Sequence, residues 1–281
     1  MDQSMDRVVI DMSGGWEEGK GEEALQEMRE RGFVVLRMSS QVKQAAMRIK
    51  SEIGPMLADP KAYPEMETAI HPEGANVGYV RGTLRDFLKL RRDDPSNTPS
   101  PDVSNVYSTF FDALLLDEEN GGGLLDLVEE MGRVGDSPLG PEEWVEVREA
   151  VSERSSVGLI RYKSVEEEQR KGCSLDESSE FADLGDGTFC VCSEHRDTGI
   201  VTGVVVGSVP GLQVVDQTTG EWISVESEYA EHMDEFVVLM PGEKAPMFVD
   251  SRITPVTHRV VVPSPTEPRY SLLLFMDTVK V

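Results

Sequence analysis

The chain has 281 residues, of which 52 are acidic and 27 are basic, and its formal net charge is -25. So acidic a balance argues against nucleic-acid binding, which calls for a basic surface, and against docking to anionic membranes. No run of apolar residues approaches the ~20 that cross a bilayer. We interpret the acidity as a solvated surface that aids solubility; the alternative is attraction of a cationic substrate.

The cysteines and the first residues indicate a reducing, cytoplasmic location. Cys173, Cys190 and Cys192 are an odd and sparse set for a chain this long, unlike a disulfide framework. A strand would place Cys190 and Cys192 on one face, and two small core residues are favoured there over a second metal site. The N-terminal residues lack both the basic start and the apolar stretch of a signal peptide.

The first part of the chain mixes helices with a few short strands. Apolar residues at steps of three and four predict helices over residues 21–31, 40–56, 83–92, 103–116 and 124–131, and Pro141 suits the first turn of another. Short apolar runs predict strands at residues 8–11 and 33–36, and residues 58–80 are predicted to be a loop. We expect residues 1–155 to form a helical and mixed region that packs on the rest.

From Val157 onward, short apolar segments alternate with turn residues. The predicted strands cover residues 158–162, 188–192, 200–206, 212–215, 222–225, 236–240, 247–249, 256–262 and 270–276. Such even spacing is typical of a β-sandwich or jelly roll, which we assign to residues 156–281. The acidic stretch 164–187 has few large apolar residues and is predicted to be a mobile loop near the pocket mouth. The fold class is therefore mainly β with flanking α-helices.

A candidate metal site lies in this second region. His195 and Asp197 are two apart, so a strand would place both on one face, roughly 6.6 Å apart. His258 lies in an apolar strand that could return beside the first, whereas His71 lies in a predicted loop and His232 in a polar turn. Two histidines and one carboxylate are the ligand set of non-haem iron(II) oxygenases. The alternatives are a hydrogen-bonded surface pair and a core histidine.

A second pair of side chains suits a carboxylate ligand. Arg269 and Ser271 share one face of the last predicted strand. A guanidinium can hold a carboxylate through two parallel hydrogen bonds, and a serine hydroxyl can add a third. The alternative is that Arg269 merely pairs with one of the many surface acids of the chain.

Several short motifs follow one another in order between about Val157 and Met276. They are His195-Arg196-Asp197-Thr198, Pro210-Gly211-Leu212-Gln213, Trp222-Ile223-Ser224-Val225, Leu239-Met240-Pro241-Gly242, Thr257-His258-Arg259-Val260 and Arg269-Tyr270-Ser271. With these landmarks the sequence resembles the iron(II)/2-oxoglutarate dioxygenases of the isopenicillin N synthase-like branch. The resemblance implies a double-stranded β-helix with iron(II) on His195, Asp197 and His258. It also implies 2-oxoglutarate as cosubstrate, its far carboxylate held by Arg269 and Ser271, with Tyr162 beside it.

The function expected from this resemblance is oxidation of a small-molecule metabolite by O2, with release of succinate and CO2. Hydroxylation, desaturation and cyclisation are all open outcomes, and the enzyme is expected to act as a monomer. The alternative is a non-catalytic jelly-roll binding module with a vestigial metal site. A metal-dependent hydrolase on a cupin-like barrel is disfavoured by the Arg269 and Ser271 pair.

Overall fold

The computed structural model describes residues 8–14, 17, 19–69, 77–82, 84–92, 98–117, 122–164, 182–185, 187–207, 209–263 and 268–278. Within these ranges the strands are β1 (Val9–Asp11), β2 (Val34–Arg37), β3 (Gly78–Arg81), β4 (Arg85–Arg91), β5 (Ser156–Tyr162), β6 (Ala182–Asp183), β7 (Thr188–His195), β8 (Val201–Val205), β9 (Leu212–Val215), β10 (Trp222–Ser224), β11 (Phe236–Pro241), β12 (His258–Pro263) and β13 (Arg269–Met276).

The strands form two sheets. The larger has the order β1-β2-β11-β8-β13-β5-β4-β3, and the smaller has the order β10-β9-β12-β7-β6. The pair β1 and β2 is parallel, whereas the pairs of the other strands are antiparallel. Residues of both sheets line one cavity. This confirms the predicted class, a jelly-roll core of double-stranded β-helix type with flanking helices.

The helices cover the outer face of the larger sheet. They are α1 (Lys20–Arg31), α2 (Ser40–Ala58), α3 (Glu65–Thr68), α4 (Pro101–Phe111), α5 (Leu124–Val134), α6 (Pro141–Arg154) and α7 (Ala245–Phe248). Short 3-10 helices cover Pro60–Ala62, Val225–Glu228 and Ala230–His232, and a π-turn covers Asp112–Leu116. No helix in the described ranges combines the length and apolar character that a bilayer crossing needs.

Local sequence explains the ends of the long helices. The hydroxyl of Ser39 accepts from the backbone N–H of Val42 at 3.4 Å, which caps the start of α2. Gly32 ends α1 in the left-handed region, at φ 85°, where glycine carries no Cβ penalty. Helices α1, α2 and α4 pack on strands of the larger sheet, and the largest buried cluster joins the helices to the outward side chains of β4, β5 and β13.

Three predicted elements differ from the structure. Residues 83–92 were predicted to be helical, but β4 is a strand in which Asp86, Leu88 and Leu90 are buried and alternate with half-buried residues. Residues 247–249 were predicted to be a strand, but the turn there is α7, which has a proline in its first turn. The predicted loop 58–80 contains two short helical turns and β3.

The boundary between residues 155 and 156 stays a prediction, because the larger sheet takes strands from both sides of it. Within the acidic stretch 164–187, the two-residue strand β6 pairs with β7. Residues 165–181, with Cys173, lie outside the described residues. Cys190 and Cys192 are free thiols with buried side chains, as expected of core residues.

The register of three neighbouring strands arranges side chains in rows across the inner face. Tyr162 on β5 is the partner of both Arg269 on β13 and Arg85 on β4. Further along the same strands, Gly158 is the partner of both Leu273 and Lys89. Because alternate residues of a strand share a face, these rows look toward the cavity.

Candidate functional site

The candidate site is the cavity between the two sheets, which has a volume of about 440 Å³. The larger sheet contributes side chains from β4, β5 and β13, and the smaller sheet contributes side chains from β7, β9 and β12. Every site residue predicted from the sequence lines this one cavity: His195, Asp197, His258, Arg269, Ser271 and Tyr162.

The predicted metal ligands lie together at the edge of the smaller sheet. His258 at the start of β12 is the register partner of His195 at the end of β7. Asp197 follows in the turn after β7, rather than on the strand itself. One candidate ligand atom from each residue lies within 4.8 Å of those from the other two. Asp197 Oδ2 is 3.7 Å from His258 Nε2, and Asp197 Oδ1 is 3.9 Å from His195 Nε2.

Neighbouring groups orient these ligands. The Nδ1 atom of His195 lies 2.8 Å from the carbonyl oxygen of Ser193, and that of His258 lies 3.4 Å from the carbonyl oxygen of Val256. A carbonyl can only accept, so each Nδ1 carries a hydrogen, and Nε2 is the nitrogen left to bind a metal once it is unprotonated.

The carboxylate of the triad is oriented by a neighbouring hydroxyl. Asp197 Oδ2 accepts from the hydroxyl of Thr202 on β8 at 2.6 Å. Thr202 is buried, so this hydrogen bond is shielded from water. We take Thr202 to be a positioning residue, because it fixes the direction of the carboxylate without facing the cavity itself.

The two histidines differ in their affinity for a proton. Interaction with the thiol of Cys192 raises the pKa of His195 to about 9. Burial lowers the pKa of His258. His258 is therefore neutral at pH 7 and ready to bind a cation, whereas His195 must release a proton when a cation arrives.

The chemistry of the donor set fits a first-row divalent metal. Two imidazole nitrogens and one carboxylate suit iron(II), and this set holds three positions of an octahedron while three remain for ligands from solution. Within the described ranges, these three residues are the group of His, Cys, Asp and Glu side chains that could hold an ion. A structural site would be closed by a fourth protein ligand.

The predicted carboxylate-binding arginine is already paired. Arg269 Nη2 donates to Glu226 Oε2 at 2.6 Å, and both side chains are 1% exposed. The same oxygen accepts from the backbone N–H groups of Gly211 and Leu212, each at 2.8 Å. Arg269 Nη1 also donates to the Ser271 hydroxyl. The partner of Arg269 is thus a buried acid, not a surface one.

Gly211 is required by this pair. A Cβ added at Gly211 would lie 2.6 Å from Arg269 Nε and 2.8 Å from Arg269 Cδ, closer than real Cβ contacts. Arg269 Nε is buried and has no hydrogen-bond partner among the described residues. The glycine of the Pro210-Gly211-Leu212 turn therefore serves two purposes: its N–H holds Glu226, and its missing side chain admits the arginine.

Tyr162 lies beside the same guanidinium. The Cζ atom of Arg269 is 5.3 Å from the centroid of the Tyr162 ring. Burial raises the pKa of Tyr162, so its hydroxyl stays protonated and can donate a hydrogen bond. Arg85, in the same row, donates to Cys192 Sγ at 2.8 Å. Hydroxyl donors and a second cation thus surround Arg269 at this end of the cavity.

The other two histidines have different outcomes. His232 lies in an exposed 3-10 turn, where its Nδ1 is 3.9 Å from Glu235, and it is outside the metal-binding group. His71 lies outside the described residues.

Sequence reasoning missed Glu226 and the basic residues of β4. A signal for β4 existed, because Arg85, Lys89 and Arg91 fall on alternate positions and would share a face if the segment were read as a strand. No comparable signal marked Glu226 among 52 acidic residues.

Comparisons with known proteins agree with this geometry. The model of the 2OG-Fe(II) oxygenase superfamily matches residues 162–278. A 2-oxoglutarate-dependent dioxygenase of Didymella fabae is 31% identical over 85 residues, which are 30% of this chain and 24% of that protein. The chain thus matches about a quarter of the length of this curated relative.

Solved structures share the fold over nearly the whole chain. A Neurospora crassa protein, in complex with alpha-KG and 5-formyluracil, has a TM-score of 0.68 at 20% identity, over 97% of this chain and 84% of that one. The dioxygenase for auxin oxidation 1 of Arabidopsis thaliana, in complex with 2-oxoglutarate, has a TM-score of 0.67 at 15% identity, over 98% and 93% of the chains. At these identities the similarity concerns the fold.

Proposed function

We propose that this chain, whose residues 162–278 match the model of the 2OG-Fe(II) oxygenase superfamily, is a member of that superfamily and an iron(II)- and 2-oxoglutarate-dependent dioxygenase of a small-molecule metabolite. The observation that carries the proposal is the convergence of His195, Asp197 and His258 on one point at the wall of the cavity. Membership of the isopenicillin N synthase-like branch is part of the proposal and rests on the ordered landmarks of the sequence.

The chain's own residues have distinct roles in this proposal. His195, Asp197 and His258 would hold iron(II), which when bound supplies the activation of O2. Arg269, Ser271 and Tyr162 would hold the far carboxylate of 2-oxoglutarate through hydrogen bonds to an anion. His258, Arg269, Ser271 and Tyr162 are buried between the sheets, and shielding from bulk water strengthens the polar interactions that they make.

The overall reaction follows from the cosubstrates. One O2 and one 2-oxoglutarate are consumed, succinate and CO2 are released, and the substrate is oxidised by two electrons. Hydroxylation, desaturation and ring closure all satisfy this balance. The task of the protein is to hold the reacting carbon of the substrate in position and to exclude competing reactions.

A small-molecule substrate is supported by the cavity and by two neighbours in fold. About 440 Å³ accommodates the cosubstrate and a compact organic molecule. The neighbours are associated with compounds of that size, 5-formyluracil bound to one and auxin oxidised by the other. We also propose a monomer in a reducing, cytoplasmic location, in keeping with the free thiols of Cys190 and Cys192.

The experiment that tests this function is an anaerobic titration of 2-oxoglutarate into the iron(II)-loaded protein. A visible charge-transfer band is expected when the cosubstrate chelates the metal, and admission of air should then yield succinate. His258→Ala should abolish both signals. His232→Ala is the matched control, because it removes an exposed histidine outside the metal-binding group and should retain both.

One observation favours the alternative of a non-catalytic binding module. Glu226 already neutralises the charge that Arg269 would offer to 2-oxoglutarate. In a vestigial site the cavity could retain a metal without binding the cosubstrate. Metal binding without a charge-transfer band, at 2-oxoglutarate concentrations up to about 10 mM, would support that alternative over catalysis.

A further inference from the structure

We propose that the substrate of this site is a small organic carboxylate with an apolar body, and that Lys89 and Arg91 on β4 hold its charge. The inference rests on the proposed function, since it assigns the substrate class of the same cavity. It contrasts with the net charge of -25, which on its own would suggest attraction of cations.

The first support is an inversion of charge inside the cavity. The chain has about two acidic residues for each basic one. Among the described residues that line the cavity, the ratio is reversed, with two acidic side chains, Asp197 and Asp277. The basic ones are Arg85, Lys89, Arg91, Arg154 and Arg196, besides Arg269, whose charge Glu226 balances. Converging cations in a partly enclosed cleft focus a field that attracts anions.

The acidic side chains near these cations are already engaged. Asp197 belongs to the metal triad. Asp277 Oδ1 lies 2.8 Å from Lys244 Nζ. Asp86, which follows Arg85 on β4, points to the face of the strand opposite the cavity, where its carboxylate lies 3.1 Å from Lys163 Nζ. None of these carboxylates forms an ion pair with Lys89 or Arg91 in the described part of the chain.

Lys89 is held in the cavity by an aromatic ring instead of an acid. Its Nζ lies 3.8 Å from the centroid of the Phe275 ring. Gly158 lies beside both side chains on β5, where an added Cβ would be in ordinary contact with them, at 3.5 Å from Phe275 and 3.7 Å from Lys89. A cation that contacts a ring rather than a carboxylate can still accept an anionic partner.

Arg91 adds a second positive charge beside Lys89 on the cavity face of β4. It follows Lys89 by two residues on the same face of β4, and its Nε is buried with no hydrogen-bond partner among the described residues. A buried N–H that finds no acceptor is costly, and a bound carboxylate would supply one.

The position of this pair separates it from the cosubstrate end. Lys89 lies four residues along β4 from Arg85, whose row contains Tyr162 and Arg269. Four residues of strand place the Cα atoms of Arg85 and Lys89 roughly 13 Å apart, so the two side chains start from different ends of the cavity wall. Lys89 and Asp197 of the candidate metal site line the same cavity. We therefore assign it to the substrate.

The body of the substrate is indicated by the residues between the two ends. Phe87, Ile160, Leu273 and Phe275 line the cavity along these strands. Apolar walls with a few polar groups at fixed points are typical of small-molecule sites, where the polar groups set orientation. An apolar acid, aromatic or branched aliphatic, satisfies both the walls and the cations.

The test uses matched pairs of an acid and its primary amide, from acetate and acetamide up to 3-phenylpropionate and 3-phenylpropionamide. Affinities are measured by calorimetry on the full chain loaded with Zn(II) and 2-oxoglutarate. At least one acid should bind at least about tenfold more tightly than its amide. Lys89→Met should remove this preference, Lys89→Arg should keep most of it, and Arg91→Met should reduce it. Lys43→Met, which removes a lysine paired with Glu235 outside the cavity, is the control.

Reversing the charge at position 89 should create a new ligand preference, which a misfolded variant could not show. Lys89→Glu should favour 3-phenylpropylamine over 3-phenylpropionate. If no acid in the series binds more tightly than its amide, or if Lys89→Met keeps the preference, the inference is wrong. The charge-transfer band of the iron(II) and 2-oxoglutarate complex separates the two proposals. A band without any acid preference overturns the substrate class alone, whereas its absence in the unmodified chain overturns the proposed function.

Discussion

Arg269 and Glu226 form a buried ion pair, with Nη2 and Oε2 2.6 Å apart and both side chains 1% exposed. The pair joins the last strand of the larger sheet to the 3-10 helix Val225–Glu228 that follows the smaller sheet's edge strand. Two backbone N–H groups, of Gly211 and Leu212, donate to the same glutamate oxygen. The cosubstrate end of the cavity is therefore built on a pre-oriented guanidinium whose charge is already balanced.

Replacing Glu226 by Gln should show that the glutamate compensates the charge of Arg269. The variant keeps the shape of the side chain but leaves Arg269 as an uncompensated buried charge, which typically destabilises a protein by about 3–5 kcal/mol. A bound 2-oxoglutarate would restore a negative charge nearby. Its binding should therefore raise the melting temperature of Glu226→Gln more than that of the unmodified chain, as thermal unfolding with and without the cosubstrate would measure. An equal or smaller increase would contradict this.

Arg269 is expected to control cosubstrate affinity rather than metal affinity. Arg269→Ala would leave Glu226 buried and unpaired, so a loss of binding there would be confounded with unfolding. Arg269→Lys keeps the charge but lacks the planar fork. It should weaken 2-oxoglutarate binding by at least about tenfold, which is ~1.4 kcal/mol. The charge-transfer band measures this affinity, and calorimetry of metal binding should show little change.

Ser271→Ala should weaken 2-oxoglutarate binding less than Arg269→Lys does. It removes one neutral hydroxyl from Arg269 Nη1 and leaves the glutamate pair in place. A neutral hydrogen bond contributes about 0.5–1.5 kcal/mol, so the loss of 2-oxoglutarate affinity should be smaller than for Arg269→Lys. The reverse order would place the far carboxylate of the cosubstrate away from the guanidinium.

The convergence of His195, Asp197 and His258 could be predicted from the sequence because their spacing carries the information. His195 and Asp197 are two apart, and His258 lies in an apolar segment, so a returning strand suffices to bring them together. The strand pairing of His258 with His195 is the expected register. The structure adds what spacing could not give, that Asp197 comes from the turn and that Thr202 orients it.

The segment 83–92 could not be assigned from the sequence, because its apolar residues fit both the helical period and the alternation of a strand. Leu84, Phe87 and Leu88 have helical spacing, while Leu84, Leu88 and Leu90 also fit an alternating pattern. Pairing with β3 on one side and β5 on the other decides in favour of the strand. Because the segment was assigned as a helix, Arg85, Lys89 and Arg91 were not predicted to share one face, and the basic lining of the cavity was not predicted. Burial of Glu226 likewise depends on tertiary contacts.

Thr202 should influence metal affinity without touching the metal. Thr202→Val is close in shape and removes only the hydroxyl that donates to Asp197 Oδ2. Groups that orient metal ligands typically change metal affinity or activity by about 10–100-fold when replaced. We expect a loss in that range, with thermal stability in the absence of metal changed by far less than in a cavity-forming variant. Competition with a chelating dye measures the affinity, and an unchanged value would remove Thr202 from the site.

The carboxylate of Asp250 connects helix α1 to the barrel, and the pH dependence of the protein's stability tests this connection. Its carboxylate is fully buried; it accepts from Arg29 on α1 and from Arg252 Nη2 at 2.8 Å. Burial alone would raise the pKa of Asp250, but the hydrogen bonds from Arg252 and Arg29 outweigh it and hold the pKa well below its usual range. A carboxyl whose pKa is depressed by folding stabilises the protein at pH values above its unfolded pKa of about 3.9. That contribution is lost as the pH falls toward the folded pKa.

Asp250→Asn should therefore lower the free energy of unfolding at pH 7 by about 2–3 kcal/mol, the usual size for charged hydrogen bonds. At pH 3 the difference between the two proteins should narrow by about 1 kcal/mol, because each pKa unit corresponds to ~1.36 kcal/mol and the unfolded carboxyl is then largely protonated. Urea unfolding at both pH values measures the two differences. Asp216→Asn is a useful control, because that exposed carboxylate makes only local hydrogen bonds within its own turn. A difference for Asp250→Asn that stays constant from pH 7 to pH 3 would mean that the charge of Asp250 does not link α1 to the barrel.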